Sequence, residues 1–137
     1  GAWIAVTGNI SWVSLIFGAV VTLWVSGFDI IYGAQDVDFD REENLFSIPS
    51  SFGVRNALII SAVFHAIAVL LLVYAGILAG LGWIYFFGVC IAAVLLLYEH
   101  AIVSPTNLKN VTIASYSVNQ VVSTVLLVFS SVDILIK

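Results

Sequence analysis

The sequence predicts an all-α fold, a polytopic transmembrane bundle of about four helices, on three observations. The chain is 62% hydrophobic and only 9% charged, against about 25% charged residues in soluble domains. Residues 1–28, 56–98 and 110–132 carry no Asp, Glu, Lys or Arg. These apolar runs are continuous and lack the alternation of a membrane strand, so helices, which satisfy their own backbone in lipid, are the expected spanning elements.

The first span is expected at about residues 10–34. The middle charge-free run is too long for one crossing of roughly 20 residues. It divides at Ala79-Gly80-Leu81-Gly82, a helix-breaking turn, into spans at about 56–79 and 83–103. A fourth is expected at about 115–136. Pro49 and Pro105 are placed in loops, where each ends a helical segment at little cost. The single Cys90 falls inside the third span and reads as a packing residue. The chain opens on an apolar Gly1-Ala2-Trp3-Ile4-Ala5-Val6 with no methionine and no basic n-region, so an upstream part is expected rather than a secretory signal.

Basic residues are scarce. Arg41, Arg55 and Lys109 fall on one side of a four-span topology and Lys137 on the other. The positive-inside tendency then places the loop between the first two spans in the cytoplasm. A net charge of −4 and the lack of a basic stripe exclude a nucleic-acid partner; the lipid bilayer is the expected surrounding.

That loop begins with the main departure from the apolar pattern. Asp29, Asp36, Asp38, Asp40, Glu42 and Glu43 place six carboxylates in fifteen residues, with Arg41 as the local counter-charge. On one continuous helix over 29–43, Asp29, Tyr32, Asp36, Asp40 and Glu43 share a stripe, because they are three or four residues apart. Asp36 and Asp40, one turn apart, are positioned to share a hard cation. An aspartate as deep as Asp29 costs about 2.5–3.5 kcal/mol on insertion scales and is expected to face a polar cavity. Magnesium suits such a site, since it is held by one or two carboxylates plus substrate phosphates. An EF-hand loop opening at Asp36 needs Gly at its sixth position and Glu at its twelfth; Arg41 and Ser47 stand there. Against these readings stands the plain one, in which an acidic cluster is only a solvated helix end.

The segment from Asp29 to Gly53, DIIYGAQDVDFDREENLFSIPSSFG, closely resembles the second aspartate-rich motif of the UbiA-type intramembrane aromatic prenyltransferases. The likeness is greatest to the 4-hydroxybenzoate polyprenyltransferase branch, including menaquinone-pathway relatives. Tyr98-Glu99-His100, Ser104-Pro105, Asn119 and the opening Gly1-Ala2-Trp3-Ile4-Ala5-Val6-Thr7-Gly8 resemble that branch as well. Phe46 departs from a Lys common in one sub-branch, and Tyr116 and Gln120 flank Asn119 where Phe and Gly are frequent.

The resemblance implies a bundle of nine transmembrane helices around a cavity, in which Mg²⁺ ions held by two aspartate-rich motifs bind a polyprenyl diphosphate. The prenyl group passes to an aromatic acceptor such as 4-hydroxybenzoate, in ubiquinone or menaquinone biosynthesis. Residues 1–137 then correspond to the C-terminal half of that domain. The missing N-terminal half, which carries the first motif (of the type Asn-Asp-x-x-Asp), is an expected partner, and this chain alone is expected to be inactive. Asp36 and Asp40 match the DxxxD pair and are assigned the catalytic metal. Asp29, Tyr32, Ser47 and Arg55 are assigned to the substrates, with Tyr32 offering a ring face to the allylic cation. His65 reads as an interhelical hydrogen-bond donor, Glu99-His100 as a pair at the site entrance or a helix end, and Asn119 as interhelical packing. The competing expectation is a non-catalytic membrane scaffold or a divalent-cation-binding membrane subunit.

Overall fold

The computed structural model describes residues 1–136; Lys137, the basic residue expected on the far side of the membrane, lies outside the described residues. Seven α-helices run along the described residues: α1 (Ala2–Thr7), α2 (Trp12–Gly33), α3 (Val37–Glu42), α4 (Ile48–Phe52), α5 (Val54–Leu78), α6 (Trp83–Ile102) and α7 (Asn119–Ile136). A π-helical stretch, Ile113–Val118, leads directly into α7. Among the described residues there is no strand, only an isolated bridge between Ser104 and Asn107.

Four of these segments, Trp12–Gly33, Val54–Leu78, Trp83–Ile102 and Ile113–Ile136, are long and apolar enough to cross a membrane. Their outward faces carry Leu70, Leu97, Leu127 and Leu135, all exposed. Such surface suits a lipid surround, and the chain is an integral membrane protein.

Local chemistry sets the helix ends. α2 starts at Trp12 because Ser11 caps it: the Ser11 side chain accepts from the Ser14 amide, and the Ser14 hydroxyl accepts in return from the Ser11 amide. α4 starts in the same way, with Ser47 and Ser50 as the reciprocal pair. Pro49 therefore stands in the first turn of a short helix instead of ending one. The amide it lacks has no helical partner at that position. α5 ends in a turn at Gly80, whose φ of 64° is left-handed, a conformation glycine adopts without a Cβ penalty.

Packing between helices rests on small residues and polar contacts, as expected where lipid removes most of the hydrophobic drive for association. α2 lies along α5, and α6 lies along α7. At the α2–α5 crossing, Gly27 admits the His65 ring so closely that a Cβ at Gly27 would overlap the imidazole. The buried Ser61 hydroxyl donates to the Gly27 carbonyl at 2.8 Å. Between α5 and α6, Gly76 admits Tyr85, whose hydroxyl donates to the Leu72 carbonyl at 2.9 Å. Apolar clusters fill the rest: Val20, Ala68, Leu72, Tyr85 and Val89 on one side, and Phe28, Ala92, Leu96, Val118 and Val122 on the other. Cys90, expected to pack inside, is exposed on the outer face of α6.

Candidate functional site

The acidic stretch does not form one helix. α2 stops at Gly33, and Ala34, Gln35 and Asp36 donate in turn to the carbonyls of Ile31, Tyr32 and Gly33. These i→i+3 bonds wind the chain more tightly than an α-helix and break its axis. The Gln35 side-chain amide also donates to the Tyr32 carbonyl, and Ala34 and Val37 turn inward and are buried. The single stripe from Asp29 to Glu43 is thereby corrected: Asp29 and Tyr32 belong to α2, and Asp36 and Asp40 belong to the start of α3.

The pair itself keeps its spacing. Asp36 is the residue capping α3, and its carbonyl accepts from the Asp40 amide at 2.8 Å, which leaves the two residues one helical turn apart. The Asp36 carboxylate makes no capping bond to its own helix, although aspartate at that position commonly does. Asp40 is anchored: the Ser47 hydroxyl donates to its Oδ2 at 2.6 Å. Ser47 also accepts from the Ser50 amide at 3.1 Å, so the cap of α4 and the Asp40 carboxylate share one side chain. Arg41 donates through Nε to the Ser50 carbonyl and makes no ion pair with a carboxylate among the described residues.

Two clefts flank Ser47. One, of about 270 Å³, is lined by Asp40, Arg41, Asn44 and Ser50. The other, of about 300 Å³, is lined by Asp29, Ser26, Gly33, Ser47 and Phe64. Asp29 thus faces a partly polar cleft that it shares with Ser47. Tyr32 is exposed, and its ring meets the Tyr116 ring edge-on at 5.5 Å and 90°. Tyr116 comes from the π-helical stretch, a feature that often marks functional positions. Arg55, in the first turn of α5, is exposed and makes no hydrogen bond or ion pair among the described residues. The structure therefore brings Asp40, Ser47 and Asp29 to neighbouring clefts and does not bring Arg55 into contact with them.

A second polar group lies inside the bundle. His65 of α5 and His100 of α6 approach at 3.0 Å between Nδ1 and Nε2. Glu99 Oε2 lies 3.8 Å from His65 Nδ1. Glu99 is fully buried in the last turn of α6, and among the described residues its carboxylate caps no helix end. His65 does make the interhelical bond expected of it, to the Trp24 carbonyl. The spacing of Glu99 and His100 carried no signal of this meeting, because His65 is 35 residues from His100 in sequence.

A polytopic helical membrane protein with a paired-aspartate loop between its first two spans is the class that fold and site define. The UbiA prenyltransferase family model matches residues 1–123, and the chain belongs to that family. It is 28% identical over 102 residues to the 4-hydroxybenzoate octaprenyltransferase of Vibrio campbellii, covering 74% of this chain and 36% of that protein. It is 30% identical over 103 residues to the enzyme of the same name from Hydrogenovibrio crunogenus, with 75% and 36% covered. The counterpart in Xanthomonas euvesicatoria pv. vesicatoria is 33% identical over 101 residues, with 74% and 33% covered. The matched stretch is thus about a third of the length of these curated relatives. No solved structure matches significantly.

Proposed function

We propose that this chain supplies one aspartate-rich half of a Mg²⁺-dependent transferase that moves a polyprenyl group from its diphosphate to an aromatic acceptor such as 4-hydroxybenzoate, in ubiquinone or menaquinone biosynthesis. The observation that carries the reading is the Asp36–Asp40 pair, one helical turn apart and anchored through Ser47, in a chain of the UbiA prenyltransferase family. The donor set fits a hard, oxygen-seeking cation: two carboxylates, one of them free of its own helix and the other with one oxygen held by a hydroxyl. When bound, the ion supplies Lewis-acid stabilisation of charge on a departing diphosphate.

The chain's own residues do the remaining work. Asp36 and Asp40 hold the cation, and Ser47 fixes the Asp40 carboxylate so that little orientation is lost on binding. As the C–O bond to diphosphate breaks, an allylic cation forms, and the Tyr32 face lies at the cytoplasmic end of α2 to meet it. The acceptor ring forms the new C–C bond and gives up a proton. Asp29, in the cleft it shares with Ser47, contacts the acceptor, and Arg55 reaches the diphosphate. The apolar helices keep water from the cation. In this reading the acidic loop faces the cytoplasm of a bacterial inner membrane.

The chain contains no Asn-Asp-x-x-Asp segment, so it is expected to turn over only when an N-terminal half supplies that motif. Membranes carrying the full reading frame, incubated with a polyprenyl diphosphate and 4-hydroxybenzoate, are expected to form prenylated product with Mg²⁺ and none after chelation. Absence of product with every aromatic acceptor tried would instead favour the scaffold or cation-binding subunit.

A further inference from the structure

We propose that His65, Glu99 and His100 form a second metal site, for a transition metal ion of the zinc type, inside the membrane span and built from ligands of a different chemistry from those of the acidic loop. One ligand atom from each of the three residues falls within 4.8 Å of the others. The individual approaches are 3.0 Å between the two imidazoles and 3.8 Å from His65 to Glu99. Ligand atoms about 2.0–2.2 Å from a tetrahedral ion stand roughly 3.3–3.5 Å from one another, so small side-chain movements close the site.

Hydrogen bonding supports the same assignment. The Trp24 carbonyl, 3.1 Å from His65 Nε2, only accepts, so that nitrogen carries the proton. Nδ1 of a neutral ring then points its lone pair at His100 and Glu99. A metal-binding histidine characteristically donates its other N–H to a backbone carbonyl in this way. The imidazole pair alone can be satisfied by one hydrogen bond, but Glu99 cannot: it is fully buried, and among the described residues neither carboxylate oxygen has a hydrogen-bond partner. A bare carboxylate is among the costliest groups to bury in a bilayer interior, and a shared cation resolves it. Imidazole ligands select zinc, copper, iron or nickel, whereas carboxylate and water sets suit magnesium.

The site has an entry path. His65 and His100 line a cleft of about 390 Å³ whose other walls include Ala62, Ala66, Leu70 and Leu97. Two histidines and one glutamate leave a fourth position open toward it, the ligand count of a zinc site that accepts water or substrate.

Cobalt(II) is the probe. The full chain, purified in detergent and stripped of metal, is expected to take up one equivalent of Co²⁺ with the intense visible bands of a four-coordinate ion, and to lose them when one equivalent of Zn²⁺ is added. Glu99→Gln, which keeps the side-chain shape, and His100→Ala, at a half-buried position, are each expected to weaken Co²⁺ uptake at least tenfold with helix content unchanged by circular dichroism. Replacing Asp36 and Asp40 with Asn is expected to leave the bands in place. A helical wild-type chain without such bands overturns the site. Bands that survive both Glu99→Gln and His100→Ala, or that disappear with Asp36 and Asp40, overturn it as well. None of these readings depends on transferase activity.

Discussion

Asp133, near the C-terminal end of α7, caps the N-terminus of α6: its Oδ2 accepts from the Gly82 amide at 2.6 Å, and its Oδ1 accepts from the Tyr85 amide at 3.3 Å. The first turn of α6 has no capping side chain of its own, and the two residues are 51 positions apart. A buried carboxylate at a helix N-terminus satisfies amides that would otherwise be orphaned and complements the helix dipole. Asp133→Ala is expected to cost about 1–3 kcal/mol, the range for leaving buried donors unpaired. Amide exchange at residues 82–85 is expected to speed up more than exchange in the centre of α6. Exchange that stays at wild-type rates would remove the cap from the account. Gly82→Ala tests the same contact from the other side, because an added Cβ would lie 2.6 Å from Asp133 Oδ1.

Gly27 is the contact point of α2 on α5, with the His65 ring filling the space where a Cβ would go. Gly27→Ala is expected to push the two helices apart and lower thermal stability by about 1–3 kcal/mol, the usual range for overpacking. Gly18→Ala, on the same helix with no heavy atom near the added Cβ, is the control, and its melting temperature is expected to stay at or above the wild-type value. Equal effects from the two substitutions would contradict the crossing as described.

The four spans were readable because hydropathy alone decides where a chain crosses lipid, and Trp12–Gly33, Val54–Leu78, Trp83–Ile102 and Ile113–Ile136 coincide with the long apolar runs. The all-α class followed from the same physics. The break at Ala34-Gln35-Asp36 was not readable. None of these residues forbids a helix, and the turn is set by i→i+3 bonds and by the burial of Ala34 and Val37. Nor was the role of Asp133 visible, since nothing near it in sequence points to Gly82. The pairing of His65 with Glu99 and His100 likewise exists only once α5 and α6 have packed. Asp36 and Asp40 lie close in sequence, whereas the hydrogen bond from Ser47 to Asp40 forms only with the return from α3 to α4.

Ser47 joins the cap of α4 to the Asp40 carboxylate. Ser47→Ala removes both bonds, and Ser47→Thr keeps a hydroxyl. In membranes of the complete protein, Ser47→Ala is expected to reduce turnover or metal affinity by about 10–100-fold, as loss of a ligand-orienting partner typically does. Ser47→Thr is expected to recover most of that loss. A Mg²⁺ titration at saturating prenyl diphosphate separates the two parameters, and an unchanged titration for Ser47→Ala would show that Asp40 needs no such support.

Tyr32 meets Tyr116 edge to face at 5.5 Å. If the Tyr32 ring stabilises an allylic cation, Tyr32→Phe is expected to stay near wild-type turnover, because the ring face remains. Tyr32→Leu is expected to fall by about tenfold or more, given that a cation–π contact is worth about 2 kcal/mol or more when desolvated. Matching losses in both variants would point to the hydroxyl instead of the ring.

Asp36 and Asp40, one turn apart at the start of α3, are proposed to hold the metal on which prenyl transfer depends. The direct measurement is Mg²⁺-dependent formation of prenylated 4-hydroxybenzoate by membranes of the complete protein, comparing wild type with Asp36→Ala and Asp40→Ala at equal membrane content. The expected result is product from wild type and loss of turnover in each variant. Wild-type rates in either variant would contradict the account.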